Sequence, residues 1–331
     1  MKTEPLNLVF MGSDPIALPL LNWIADGGGD QVALRTIYTQ PDRAVGRGQK
    51  ITANAIKTWS IERGIPVRQP DKLTRSVREE LAAESPDVVM VMAYGHILGE
   101  AFINTPRLGT LNLHTSILPA YRGASPIQSA ICAGDSETGV TLMRIVRELD
   151  AGPVADVERC EIGPADTGLT VEEKLSRACV SLVSRNLPAL VEGTLTFREQ
   201  DHGSATFCRK LAKADGVIDF RAPARVLAAR VNGLHPWPGV RIKHGGDVLR
   251  LGGAVVSSNQ PAAQAPPGTV LVGEGSTLQV ATEDGVLELT RLQRPGGKML
   301  PASEFLRGYP IAGGTLLPSE PMPQLVTSRP H

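Results

Sequence analysis

Val88-Val-Met-Val-Met-Ala93 decides the fold. The run is continuously apolar rather than alternating, and loop-forming residues flank it: Pro86-Asp87 before, Gly95 after. A strand apolar on both sides is covered on both faces, the condition of a parallel sheet with helices above and below it. On the N-terminal side, residues 6–11 and 32–39 also read as strands. Between them Gly12-Ser-Asp-Pro15 supplies a cap and a first-turn proline for a helix ending near Ala25. Pro19 falls inside that helix, so a short or bent first turn is expected. Residues 53–63, stopped by Gly64, and 75–83 read as further helices. Beyond the central run come a strand at 110–113, a helix across 126–133, strands near 140–145 and 154–162, and a helix from about 171 to 191. The alternation predicts an α/β fold with a doubly wound, mostly parallel, Rossmann-like sheet. Gly12-Ser-Asp lacks the full G-x-G-x-x-G pattern, so no dinucleotide site is expected.

The texture changes after residues 194–208. A helix over 227–231 ends at Gly233, and His235-Pro-Trp237-Pro-Gly239 forms a rigid turn. Short runs at 240–243, 248–251, 269–272, 278–281 and 286–292, punctuated by Gly and Pro, predict a small OB-like β-barrel. Residues 257–267 read as a surface loop, and the Pro-rich stretch 316–331, without periodicity, as a disordered tail. The expected division is therefore 1–203, 204–315 and the tail 316–331.

A chain of 331 residues with 42% hydrophobic content is of the size and composition of a two-domain globular protein. Its net charge is zero, but residues 1–205 hold 20 Lys+Arg against 25 Asp+Glu, whereas 206–331 hold 14 against 9. A modestly basic C-terminal module beside an acidic one suits a polyanionic partner, although ordinary charge scatter explains the count equally well. Cys132, Cys160, Cys179 and Cys208 are widely spaced, with no CxxC pair and no clustered histidines, so neither a metal site nor a disulfide framework is expected. Met-Lys-Thr-Glu-Pro leads directly into a strand, which is not the pattern of a targeting peptide. No apolar run approaches the length of a membrane span, and a cytoplasmic location is expected.

Chemistry concentrates in Asn112-Leu-His114-Thr-Ser116-Ile-Leu118-Pro119-Ala-Tyr-Arg122-Gly123. Ligands of open α/β sheets bind at the carboxyl ends of strands, and this stretch leaves one. Asn112, His114 and Ser116 alternate along one face of an extended segment, so they can share one crevice. An amide able to donate to an oxyanion, beside a base that titrates near neutrality, is equipment for acyl transfer. Taken alone, such polar residues at a strand end more commonly satisfy loop backbone.

The longer string resembles the 10-formyltetrahydrofolate-dependent formyltransferases, and within them the methionyl-tRNA formyltransferase family. The resemblance is carried by Asn112 and His114, Ser116-Ile-Leu-Pro119, Arg122-Gly-Ala-Ser-Pro-Ile127, Gly139-Val-Thr-Leu-Met143 and Asp150-Ala-Gly152. Ile117 stands where the family has Leu, a volume-conserving change. His235-Pro-Trp-Pro238, Gly285-Val-Leu-Glu-Leu-Thr-Arg-Leu-Gln293 and Gly297-Lys-Met299 extend it through the second module, so that it runs from about Leu6 to Arg307. It implies Asn112, His114 and Asp150 as the catalytic constellation: Asn112 donating to the oxyanion, His114 as base, and Asp150 orienting the imidazole or moving a proton through water. By itself, Asp150 in Asp-Ala-Gly is first a turn former.

The same resemblance implies 10-formyltetrahydrofolate as co-substrate and methionyl-initiator tRNA as acceptor, with no metal and a monomer. Ala93, Tyr94 and Gly95 after the central strand, and Ser116, Ile117, Leu118 and Pro119, are the expected sides of the folate pocket. His96 is read as a cap or surface residue before a ligand contact, and Arg122 as holding its loop through carbonyl contacts before reaching substrate. Gln40-Pro-Asp-Arg43-Ala-Val-Gly46-Arg47-Gly48-Gln-Lys50 is a long, Gly-hinged basic connection. A charge run is usually a solvated face; the resemblance assigns Arg43, Arg47 and Lys50 to the tRNA acceptor end. An amino-sugar formyltransferase, a formyltetrahydrofolate hydrolase and a catalytically inactive RNA-binding protein are the competing expectations.

Overall fold

A computed structural model describes residues 5–28, 30–45, 48–258, 265–271 and 277–329. Its first sheet has seven strands: β1 Leu6–Gly12, β2 Val32–Tyr38, β3 Val67–Arg68, β4 Val88–Met92, β5 Thr110–His114, β6 Glu137–Arg144 and β7 Val154–Glu161, in the order β7-β6-β5-β4-β1-β2-β3. The pairs β1–β2, β2–β3, β1–β4 and β4–β5 are parallel, and β5–β6 is antiparallel. All five residues of β4 are buried, as a strand covered on both faces requires.

The pleat divides those residues between two cores. Val9, Met11, Val89 and Val91 face Leu81 of α3 (Arg75–Ala83) with Tyr38 and Tyr94. Leu8, Val88 and Met90 face the opposite layer, among Trp23 of α1 (Leu18–Trp23) and Val183, Leu187 and Leu190 of the long helix α5 (Gly168–Val191). Alternate residues of one strand therefore anchor helices on opposite faces. The expected bend at Pro19 takes the form of a separate 3₁₀ turn, Pro15–Ala17, capped by Asp14, whose Oδ1 accepts from the Ile16 N–H at 3.0 Å. Helix α1 restarts at Leu18, which puts Pro19 in a first turn, where a missing N–H costs nothing.

The second sheet is antiparallel: β8 Val240–His244, β9 Asp247–Val256, β10 Val270–Leu271, β11 Leu278–Ala281 and β12 Val286–Gln293 in the order β8-β9-β12-β11-β10, with β13 Leu300–Pro301 paired to β12. Register shifts between Leu251 and Ala254, at Gly252-Gly253, bend β9 and curl this sheet into a half-barrel form of the expected small barrel. Its core packs against α6 (Ala224–Gly233) through Leu227, Ala228 and Val231. Val272 and residues 259–264 of the expected loop lie outside the described residues. Ser257, placed in that loop by sequence, is buried and accepts from Gln279.

The chain falls into two compact units, 1–122 with 139–160 and 173–205, and 123–138 with 161–172 and 206–331. Helix α4 (Pro126–Ala133) thus belongs with the C-terminal module, against α6, where a side chain at Gly233 would press on Cys132. The expected disordered tail is a correction. Leu317 and Leu325 are 2% and 6% exposed, Glu320 N–H donates to the Ile218 carbonyl at 2.8 Å, and Val326–Thr327 pairs with Phe207–Cys208. Proline removes periodicity, but spaced apolar residues still anchor an extended segment. Residues 330–331 lie outside the described set. No helix among the described residues is long and apolar enough to cross a membrane.

Candidate active site

The strand order reverses at β1, whose neighbours are β2 and β4, so the crevice at their carboxyl ends is the expected ligand position. Asn112 and His114 lie on β5, two residues apart and therefore on one face, while Leu111 and Leu113 face the other way into the core. Asn112 sits between Val91 and Met143, and His114 opposite Thr141. Among the described residues the Asn112 carboxamide has no hydrogen-bond partner, which leaves its N–H groups for a ligand.

The His114 ring is 6% exposed. Its Nε2–H donates to the carbonyl oxygen of Tyr121 at 2.9 Å. A carbonyl can only accept, so Nε2 carries a hydrogen, the lone pair of the neutral ring lies on Nδ1, and Nδ1 is turned toward Asp150, whose Oδ2 is 3.8 Å away. The arrangement can take a proton at Nδ1 and hold the resulting imidazolium against the carboxylate. Tyr121 and Asp150 both adopt left-handed backbone, φ 60° and 48°. Such non-glycine residues cost roughly 1–3 kcal/mol each and persist where surrounding contacts over-determine them.

Behind Asp150 stands a buried polar group. Arg122, 5% exposed, donates from Nε and Nη2 to Oε1 of Gln200 (3.2 and 2.7 Å), and from Nη2 to Nδ1 of His202 (2.9 Å). Burial pulls the Arg122 guanidinium below its ordinary pKa, and the Asp150 charge opposes that shift. Gln200 donates from Nε2 to the carbonyl oxygens of Asp150 (2.9 Å) and Gly152 (2.7 Å). Arg122 thus binds a carboxamide and an imidazole, where carbonyl contacts were expected of a loop-holding residue.

The expected folate-loop residues separate by role. Ser116 is fully buried, and its hydroxyl donates to the Ala120 carbonyl at 2.6 Å, so it braces the loop. Thr141 completes the brace, donating to the Ser116 carbonyl (2.6 Å) and accepting from Leu118 N–H (3.2 Å). Leu118 is buried, while Ile117 and Pro119 keep partial exposure, with a cis bond at Leu118–Pro119. After β4, Ala93 and Gly95 are exposed, but the Tyr94 ring points into the core, and burial pushes its phenol well above the ordinary value. Tyr94 faces the site by its carbonyl, which accepts from Ser13 Oγ (3.3 Å) and Gln40 Nε2 (3.1 Å). His96 is half-buried with its ring edge-on to Tyr94.

The basic connection is a correction: instead of a long loop it forms a hairpin, Arg43–Val45 against Lys50–Thr52. Its base is tied down by Asp42, whose carboxyl is held below its usual pKa by hydrogen bonds from Lys57 and then Gln69. Arg43 is exposed and donates to Gln40 Oε1 at 2.7 Å, Lys50 is exposed, and Arg47 lies outside the described residues. Sequence reading singled out neither Ser13 nor Gln40, Thr141 or Gln200, which brace these loops. Of these only Ser13, directly after β1 at the strand-order reversal, carried a positional signal.

The formyl transferase family model matches residues 6–187, and the formyl transferase C-terminal domain model matches 210–310. A methionyl-tRNA formyltransferase of Methylococcus capsulatus is 39% identical over 312 residues, covering 94% of this chain and 99% of its own length. One from Stutzerimonas stutzeri is 40% identical over 299 residues, covering 90% and 93%. Among solved structures, an N-formyltransferase of Helicobacter canadensis, in complex with folinic acid and dTDP-3-aminofucose, superposes with a TM-score of 0.65 at 17% identity over 87% of this chain and 99% of its own.

Proposed function

The chain belongs to the formyl transferase family, and we propose that it moves the formyl group of 10-formyltetrahydrofolate onto the free amine of methionyl-initiator tRNA, yielding N-formylmethionyl-tRNA for translation initiation. The observation that carries this reading is near-full-length identity of 39–40% to methionyl-tRNA formyltransferases, C-terminal module included. The amino-sugar alternative draws on likeness of fold alone, at 17% identity. A cytoplasmic monomer is part of the proposal.

The neutral amine attacks the formyl carbon, forming a C–N bond and a tetrahedral oxyanion. The bond to the folate N10 then breaks, and that nitrogen leaves as an amine with a proton. Asn112 donates an amide N–H to the oxyanion, a contact worth roughly 3–4 kcal/mol by analogy with other oxyanion holes. His114 receives the proton of the attacking nitrogen at Nδ1, since Nε2–H is committed to Tyr121, and can return it to N10. Asp150 stabilises the imidazolium between those transfers. Exposed backbone at Ala93 and Gly95, with the partly exposed Ile117 and Pro119, offers the polar and apolar sides of a pterin pocket. Tyr94 contributes backbone only, while Ser116 and Leu118 support the loop from within.

The test is transfer of labelled formyl from 10-formyltetrahydrofolate to charged initiator tRNA, with a 4-amino-sugar nucleotide and water as competing acceptors. Formylation of the sugar, or hydrolysis without transfer to Met-tRNA, overturns the proposal.

A further inference from the structure

We infer that Gln200, backed by Arg122, is a positioning residue whose carboxamide fixes the turn that aims Asp150 at His114; this rests on the catalytic reading of Asp150 proposed above. Its location follows from strand pairing. Val154 and Arg198 exchange both backbone hydrogen bonds at 2.8 Å, an antiparallel bridge. Counting back two residues on one side and forward two on the other sets Gln200 opposite Gly152. From there its two amide hydrogens reach the two carbonyls that flank Ala151, at 2.9 and 2.7 Å.

The turn needs such a clamp. Asp150 is a non-glycine residue in left-handed backbone, a conformation that requires support from its surroundings. Gly152 can accept no side chain, because a Cβ would collide with the Arg144 carbonyl oxygen. A carboxamide is the side chain that can donate twice to this turn while accepting on its other side. Gln200 Oε1 takes both a Nε and a Nη2 hydrogen of Arg122, so the guanidinium charge polarises the amide and strengthens its donors. Gln200 is 7% exposed and Arg122 5%, which shields this relay from water. Arg122 spends a further hydrogen on His202 Nδ1, which limits its own rotation.

The test is a double-mutant cycle on the full-length protein, with 10-formyltetrahydrofolate and Met-tRNA as substrates. Gln200→Glu is nearly isosteric and keeps an acceptor for Arg122, but it has no N–H for the turn. It is expected to lower kcat about 10–100-fold, the scale of an ångström's misplacement of a reacting group, with both KM values within about twofold. Asp150→Asn is expected to lower kcat as well, and the double variant to be no slower than Asp150→Asn alone. Wild-type kcat in Gln200→Glu, or losses that multiply, overturn the inference. Should Gln200→Glu not fold, Gln200→Asn, one methylene too short to span the gap, takes its place in the cycle, and the same two results would overturn the inference. An undiminished kcat in Asp150→Asn removes the catalytic reading of Asp150 and this inference with it. A slow Asp150→Asn beside a fast Gln200→Glu removes only the role of Gln200.

Discussion

His114 turns Nδ1 toward Oδ2 of Asp150 across 3.8 Å, because its Nε2–H is bound to the Tyr121 carbonyl. With the neutral ring two acceptors face each other there, and a proton gained at Nδ1 turns the contact into an ion pair. Asn112→Ala, His114→Ala and Asp150→Ala should each lower kcat, His114→Ala by roughly 10²–10⁴-fold. The losses should be non-additive, because the groups act as a unit. Single-turnover rates beside thermal melts separate chemistry from unfolding. A folded His114→Ala protein with near-normal kcat would remove the imidazole from the mechanism.

Two segments early in the chain belong to the C-terminal unit. A fragment ending at Gly203 therefore leaves α4 without α6, whose Gly233 sits so close to α4 that a Cβ would lie 2.6 Å from Cys132 Sγ and 3.0 Å from the Gln128 carbonyl. That fragment should melt well below the full chain or aggregate. Gly233→Ala in the full chain should cost about 1–3 kcal/mol by overpacking. Denaturant titrations check both; a fragment with an unchanged melting point would show that α4 needs no partner.

Asp215 gives the second unit an acid-sensitive contact. Its side chain, 2% exposed, accepts from Arg209 Nη2 and Nη1 (2.6 and 2.9 Å) and from the Ala212 N–H (2.7 Å). The Arg209 hydrogen bonds, foremost, hold its carboxyl below the ordinary value. The folded group thus releases its proton more readily than the unfolded one. The stability it adds is complete above the unfolded value of about 4 and disappears as pH falls through the folded value. Asp215→Asn should cost roughly 1.5–3 kcal/mol at neutral pH, and less as the solution is acidified below about pH 4. Unfolding titrations across that range test it, and a pH-independent difference would exclude the pair as the cause.

The sheet was legible because Val88–Met92 and its neighbours are apolar on both sides, and burial follows composition directly. The placing of Asn112 and His114 on one face was legible because both lie two residues apart on one strand. Gln200 was not: it lies 50 residues from Asp150 in the chain, and only the Val154–Arg198 bridge brings it there. Tyr94 was expected among the sides of the folate pocket, but Ala93, in left-handed backbone at φ 47°, interrupts the strand alternation and the Tyr94 ring joins Val89 and Val91 in the core. The tail misled for a related reason. Its prolines abolish periodicity, whereas Leu317 and Leu325 bind it down through contacts that no periodicity reports.

Substitutions in the hairpin test tRNA against smaller amines as the acceptor. Arg43 and Lys50 stand exposed on its paired strands, held at the base by Asp42 with Lys57 and Gln69. Arg43 differs from Lys50 in one respect. It binds Gln40 Oε1 at 2.7 Å, and Gln40 Nε2 binds the Tyr94 carbonyl at 3.1 Å, which ties it to the loop proposed to hold the formyl donor. Lys50→Ala should therefore raise KM for Met-tRNA alone, whereas Arg43→Ala should also lower kcat by releasing Gln40. Changing Arg43, Arg47 and Lys50 together should affect donor binding no more than Arg43→Ala does alone. If each contacts a phosphate, the slope of log affinity against log salt should shrink by about one unit per residue removed, somewhat less on single-stranded RNA. Steady-state kinetics over a salt series reads all of these. A triple variant that formylates Met-tRNA like the wild type would make the hairpin a solvated surface. Recognition of tRNA would then rest on the C-terminal module alone, and the amino-sugar acceptor would have to be tested again.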